Sequence, residues 1–184
     1  MKENKTAFAI LGLLSHEDMT GYDIKKHVEA SLAFFWNVGF GQIYPALAQL
    51  EEKRFVTKQL DLGGRGPKRI LYSITETGRG ELRRWLAEPA EKEEVRYEIL
   101  LKLFFASQTP PKESIAVIEA FRDRNSAGLA TLGQFHRQLE GLLGESDDHL
   151  YYYLTVLFGE KVYRAYLEWA DEAITLLHNK EKEK

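Results

Sequence analysis

The stretch Gly39 to Ile74, GFGQIYPALAQLEEKRFVTKQLDLGGRGPKRILYSI, decides the reading of this 184-residue chain. Its first third is helical by period, because Ile43, Leu47 and Leu50 recur at i, i+4 and i+7 and form an apolar stripe. Gln42, Tyr44, Pro45 and Gln49 fall off that stripe, as polar or flat side chains with little reason to be buried. After Phe55 the runs VTKQL and RILYSI carry β-branched and aromatic residues, and Ile70, Tyr72 and Ile74 alternate as a strand requires. Between the runs, residues 61–68 hold three glycines, a proline and two cations. Gly63, Gly64 and Gly66 allow the positive φ of a tight hairpin tip. A helix followed by a basic β-ribbon outlines a winged helix-turn-helix, with a recognition helix at about 41–53 and a wing at about 55–74.

The charge distribution supports a nucleic-acid-facing half. The formal net charge is −3, yet residues 53–84 carry nine Lys/Arg against three Asp/Glu, whereas residues 89–184 carry twelve against seventeen. Screening confines docking on phosphate to about 10 Å, so the local sign matters more than the total. With 44% hydrophobic and 29% charged residues, the composition is that of a folded protein. The chain has no cysteine, and no apolar run reaches the length of a membrane span, so a cytoplasmic protein without membrane contact is expected.

Upstream of the deciding stretch, residues 5–15 read as a short helix with Ala7, Phe8, Ile10, Leu11 and Leu14 on one wide face. Thr20-Gly21-Tyr22-Asp23 has capping-box form and starts a second helix, whose apolar stripe is Ile24, Val28 and Leu32. Its N-terminus, with Thr20 and Tyr22, reads either as a phosphate-facing element or as a plain capped helix. The aromatic-rich run at 32–40 reads first as a core plug, with Trp36 kept as a possible effector contact. The third helix begins near Gly41, with Pro45 tolerated in about its first turn. Gln42, Tyr44, Pro45 and Gln49 then face base edges and phosphates, while Arg65, Lys68 and Arg69 reach from the wing. Thr75 caps a fourth helix with Leu82, Trp85 and Leu86 on its apolar face and Arg79, Arg83 and Arg84 outward.

Pro89 and the acidic run at 91–94 mark a boundary, giving a DNA-binding domain at 1–88 and a helical domain at 89–184. Residues 95–107 are apolar around most of a helix and must be covered. Thr109-Pro110 predicts a threonine cap with proline at the first helical position. Ile118, Phe121, Asn125, Gly128, Leu132, Phe135, Leu139 and Leu142 follow a 3,4 spacing that predicts a coiled-coil-like seam. Gly128 marks a close helix approach within it. The last helix runs to about His178, with Val156, Tyr163, Leu167, Ala170, Ile174 and Leu177 on one face and 179–184 as a frayed tail. Two long helices leave apolar surface that a second copy of the chain is expected to cover, placing two reading heads on two half-sites.

The motifs ILGLL near the N-terminus, GYDI at 21–24, QIYPALAQLEEKRFV at 42–56 and YSITETG at 72–78 resemble the PadR family of transcriptional regulators. The helical second half resembles the longer PadR subfamily. The resemblance implies a mainly α protein with a small β-wing, acting as a homodimeric repressor of double-stranded DNA. It also puts Tyr44 at a DNA-contact position, and implies that a small phenolic or flat aromatic effector releases DNA in some members. An alternative is a small-molecule-sensing module in which DNA binding is secondary, with Trp36, Trp85, His149 and Tyr152 lining an apolar pocket. Catalysis is not expected. The five histidines are scattered, no GxSxG or Walker spacing is present, and Glu145, Asp147, Asp148 and His149 read as a solvated turn rather than a metal site. No cofactor is called for.

Overall fold

Lys5–Leu14 forms α1, and its wide apolar face is buried through Ala7, Phe8, Ile10, Leu11 and Leu14. The computed structural model describes residues 4–36, 39–61 and 69–182, apart from the side chains of Phe40 and Asp61. The chain divides into two units, Met1–Lys92 and Glu93–Lys184.

In the first unit a two-residue strand, β1 (Met19–Thr20), precedes α2 (Gly21–His27). The strand was not foreseen, being too short to leave a periodic signal. The predicted capping box is present in full: the Asp23 amide donates to Thr20 Oγ1, and the Thr20 amide donates to Asp23 Oδ2. A π-helical turn, Val28–Leu32, extends α2. Helix α3 (Phe40–Glu52) buries Ile43, Ala46, Leu47 and Leu50. Pro45 lies inside α3 rather than in its first turn. The amide it lacks would have met the carbonyl of Gly41, an exposed residue, so the helix tolerates it.

Helix α3 ends in paired backbone bonds, Phe55 N–H to Leu50 O and Arg54 N–H to Glu51 O, both 2.9 Å, with Arg54 at φ 59°. This is a Schellman termination with arginine in the left-handed position that usually holds glycine. Strands β2 (Val56–Asp61) and β3 (Arg69–Ile74) pair antiparallel from Val56 opposite Ile74 to Asp61 opposite Arg69. The sheet order is β1-β3-β2, with Met19 opposite Tyr72. Thr75 caps α4 (Glu76–Leu86) by accepting from the Gly78 amide at 3.0 Å.

Several expectations for this unit change. Leu86 is exposed, so the large apolar side chains that α4 packs inward are Leu82 and Trp85. Arg79 is half-buried and donates to the Ser15 carbonyl at 3.1 Å, joining α4 to the end of α1. The aromatics Phe34, Phe35 and Trp36 are exposed and plug no core in this chain.

In the second unit, α5 (Glu98–Phe104) and a 3-10 turn (Ala106–Gln108) lead to α6 (Pro111–Glu140) and α7 (Asp147–Lys182). Tyr97 and Tyr166 share a hydrogen bond of 2.8 Å, and burial pushes the Tyr166 phenol up to about 12. The 3,4 seam is real, but α7 of the same chain fills it. The Tyr163 ring lies on Gly128, Leu132 lies on Gly159, and Phe121 makes edge contacts with Tyr166 and Trp169. Asn125 turns back on its own helix, donating to the Phe121 carbonyl at 2.7 Å. Leu142 lies past the end of α6. The cap at 109–110 shifts by one residue: Pro110 is the N-cap, Pro111 is the first helical residue, and Thr109 Oγ1 donates to Ala106 O instead. The expected frayed tail is helical through Lys182.

The largest departure concerns 95–107. Ile99 and Leu103 turn inward, onto Ile115, Ile118, Ala170 and Ile174. Val95, Leu100, Leu101, Phe104 and Phe105 are exposed, Phe104 to 82%.

Candidate nucleic-acid interface

The buried side of α3 fixes what its outer side can present. With Ile43, Ala46, Leu47 and Leu50 inward, a period of 3.6 turns Gly41, Tyr44, Pro45 and Ala48 outward. Tyr44 is 62% exposed, on a helix whose other large apolar side chains with described burial are covered. Tyr22, on α2, is 58% exposed, and Lys26 Nζ stands 5.3 Å from its ring centroid.

Gln42 and Gln49 occupy the flank of α3 nearest α1 rather than its outermost line. Gln42 Oε1 accepts from Thr6 Oγ1, and Gln49 Oε1 accepts from Asn4 Nδ2, both at 3.2 Å. Their carbonyls are thus used by the fold, and the amide nitrogens are the groups left to donate outward. Thr20 is buried, and its hydroxyl is committed to Asp23 at 2.7 Å. That hydrogen bond, the Thr20 amide and the Arg69 cation hold the Asp23 carboxyl below the ordinary carboxylate range. In this structure Thr20 anchors the start of α2, which makes it a support of the face more than part of it.

At the wing, Arg69 is exposed at the first position of β3. Arg65 and Lys68 lie outside the described residues, as do the three glycines of the tip. Lys58 on β2 is paired with Glu51 on α3 at 2.8 Å, which raises its ammonium above the usual range. Burial pushes up the phenol of Tyr72, its cross-strand neighbour.

The residues read as a ligand pocket are divided between the two units. Trp85 stacks on Phe8 with centroids 4.6 Å apart and an interplanar angle of 6°, so it belongs to the first core. Trp36 is an exposed residue of the first unit. His149 Nδ1 lies 2.9 Å from the Leu142 carbonyl and closes the turn between α6 and α7. Tyr152 is exposed on α7. An open groove of about 530 Å³ runs elsewhere on the second unit, past Gly133, His136, Arg137, Glu160 and Arg164. Two of its lining residues, His136 and Glu160, belong to a hydrogen-bonded chain that the sequence did not reveal: Tyr153 OH meets His136 Nε2 at 3.2 Å, and His136 Nδ1 meets Glu160 Oε2 at 2.9 Å. The one signal for it was Glu160, four residues after Val156 on the inward face of α7. Among the described residues no group of three or more His, Cys, Asp and Glu is placed to hold a metal. Nor is any described helix long and apolar enough to cross a membrane.

Comparison with known proteins places both halves. Residues 10–84 match the transcriptional regulator PadR-like family, and residues 95–178 match the family described as virulence activator alpha C-term. The negative transcriptional regulator PadR of Bacillus subtilis (strain 168) is 27% identical over 177 residues, covering 92% of this chain and 96% of that one. The crystal structure of Bacillus subtilis PadR in complex with operator DNA matches with a TM-score of 0.83 at 27% identity, covering 95% of this chain and 99% of that one. The same protein in complex with p-coumaric acid matches with a TM-score of 0.77 at 27% identity, covering 93% and 97%. The fold is mostly helical with a small antiparallel sheet, in the winged-helix form of these neighbours.

Proposed function

We propose that this chain, which carries a PadR-like transcriptional regulator domain at residues 10–84, is a homodimeric repressor that reads a palindromic operator. The outward face of α3 enters the major groove. Tyr44 and Pro45 stand at its front, and the amide groups of Gln42 and Gln49 donate from its flank. Tyr22 and Lys26 contact the backbone beside it, and Arg65, Lys68 and Arg69 reach phosphates from the wing. Phosphate contacts set register and most of the affinity, and base-edge contacts set sequence preference.

One observation carries this reading: two large, polar-tipped aromatics, Tyr44 and Tyr22, stand exposed on α3 and α2, whose apolar residues Ile24, Ile43, Leu47 and Leu50 are buried. Such rings combine contact area with a hydrogen-bonding tip. The relative solved in complex with operator DNA supports DNA as the partner.

Dimerisation is assigned to the second unit, on the surface that one chain leaves apolar. On α5 this is Leu100, Leu101 and Phe104; on the first half of α7 it is Leu150, Tyr151, Leu154 and Phe158. The 118–142 seam is not available for this, being filled by α7. Two reading heads so joined meet half-sites about one helical turn apart. Release by a small aromatic acid is the second part of the proposal, supported by the relative's complex with p-coumaric acid.

A titration of labelled duplex from the region upstream of the chain's own gene tests the DNA reading. With ~6–10 phosphate contacts, affinity is expected to fall roughly 10³–10⁵-fold between 50 and 200 mM salt. Binding that ignores salt, or no binding at all, sinks it.

A further inference from the structure

The geometry points to Gly21 as a positioning residue that holds the Tyr44 ring in place for DNA recognition, an inference that rests on the reading of Tyr44 as a DNA contact. Gly21 is buried at the first position of α2, and its backbone is fixed from both sides. On one side Thr20 is in β1, opposite Leu71 of β3. On the other the reciprocal Thr20–Asp23 bonds close the first turn of α2.

The Tyr44 ring rests on this rigid point. A Cβ added at Gly21 would lie 2.7 Å from Tyr44 Cε1, 3.2 Å from Cζ and 3.3 Å from the phenolic oxygen. The missing side chain is therefore the space that the ring occupies. Backbone freedom is not the reason for glycine here, because φ at Gly21 lies outside the left-handed region.

Two consequences separate this role from ordinary packing. The atoms that a new Cβ meets belong to the outer end of one exposed side chain, so the ring can swing into solvent and the fold need not move. Alanine is also the better helix former. Gly21→Ala is thus expected to preserve stability while releasing the tyrosine. A ring already held in its bound orientation loses less freedom on docking, so releasing it weakens binding without removing any contact group.

The test is a double-mutant cycle on the full chain, read by anisotropy with the duplex from upstream of its own gene. Tyr44→Ala is expected to weaken binding about tenfold or more. Gly21→Ala is expected to weaken it about three- to tenfold when Tyr44 is present and less than about twofold in the Tyr44→Ala background. An equal loss in both backgrounds, or none in either, overturns the positioning role. Unchanged affinity for Tyr44→Ala overturns instead the reading of Tyr44 beneath it, and the inference falls with that reading. An NMR measurement on the unsubstituted protein stands apart from the folding of any variant. A nuclear Overhauser contact is expected between the Gly21 Hα protons and the Tyr44 ring, and its absence overturns the inference.

Discussion

The two units of this chain solve the burial of apolar surface differently. The first covers most of its own. Phe8, Ile10, Leu11, Leu14, Ile24, Ile43, Leu47, Leu50 and Val56 meet in one core drawn from α1, α2, α3 and the sheet. The second covers only part: Ile115, Ile118, Ala170 and Ile174 form a narrow core, while Leu101, Phe104, Leu154 and Phe158 face outward. What each unit exposes differs in kind as well. On its α2–α3 face the first shows the phenols of Tyr22 and Tyr44, suited to a wet, anionic surface, while α5 and the first half of α7 show mainly leucine and phenylalanine, suited to another protein surface. The proposed dimer rests on this contrast between the two units.

The largest effect that can break this contrast lies in the second unit. Leu101→Asp and Phe104→Asp are each expected to weaken self-association about 30-fold or more, as buried interface anchors do. Sedimentation equilibrium measures this, and a wild-type association constant in either variant contradicts the account. Next comes the first unit. A Cβ at Gly78 would fall 2.1 Å from the Phe55 carbonyl oxygen, a backbone atom with no room to retreat. Gly78→Ala is expected to cost about 2–3 kcal/mol in urea unfolding while leaving self-association intact. The smallest effect sharpens the same point. Arg54 holds a left-handed φ of 59° at the end of α3. Arg54→Gly is expected to stabilise the first unit by about 0.5–1 kcal/mol, seen as a raised urea midpoint. A lowered midpoint shows that the arginine side chain contributes more than its backbone strain costs.

What the sequence disclosed follows the same division. Motifs closed by local hydrogen bonds were legible: the Thr20–Asp23 box, the Thr75 cap and the inward stripe of α3 all stand as the residues predict. Periodicity correctly showed that the 118–139 face of α6 is covered. It could not show by what, because the same 3,4 spacing serves a partner helix and a helix further along one chain. The residues 95–107 erred for a related reason. Hydrophobicity records that a face is buried somewhere, and not that a single chain buries it. Gly21 and the Tyr153–His136–Glu160 chain were illegible because their meaning lies in contacts across 23 and 24 positions in sequence, which leave no local pattern.

In the proposed function the second unit pairs two copies of the chain, so that two faces of the first unit meet one operator. Sedimentation velocity of the full chain with duplex DNA from upstream of its own gene tests it most directly. The account predicts two protomers per duplex for the unsubstituted chain, and at the same protein concentration a loss of that complex for Leu101→Asp with Phe104→Asp. One protomer per duplex, or an unchanged two-protomer complex in the double variant, contradicts it.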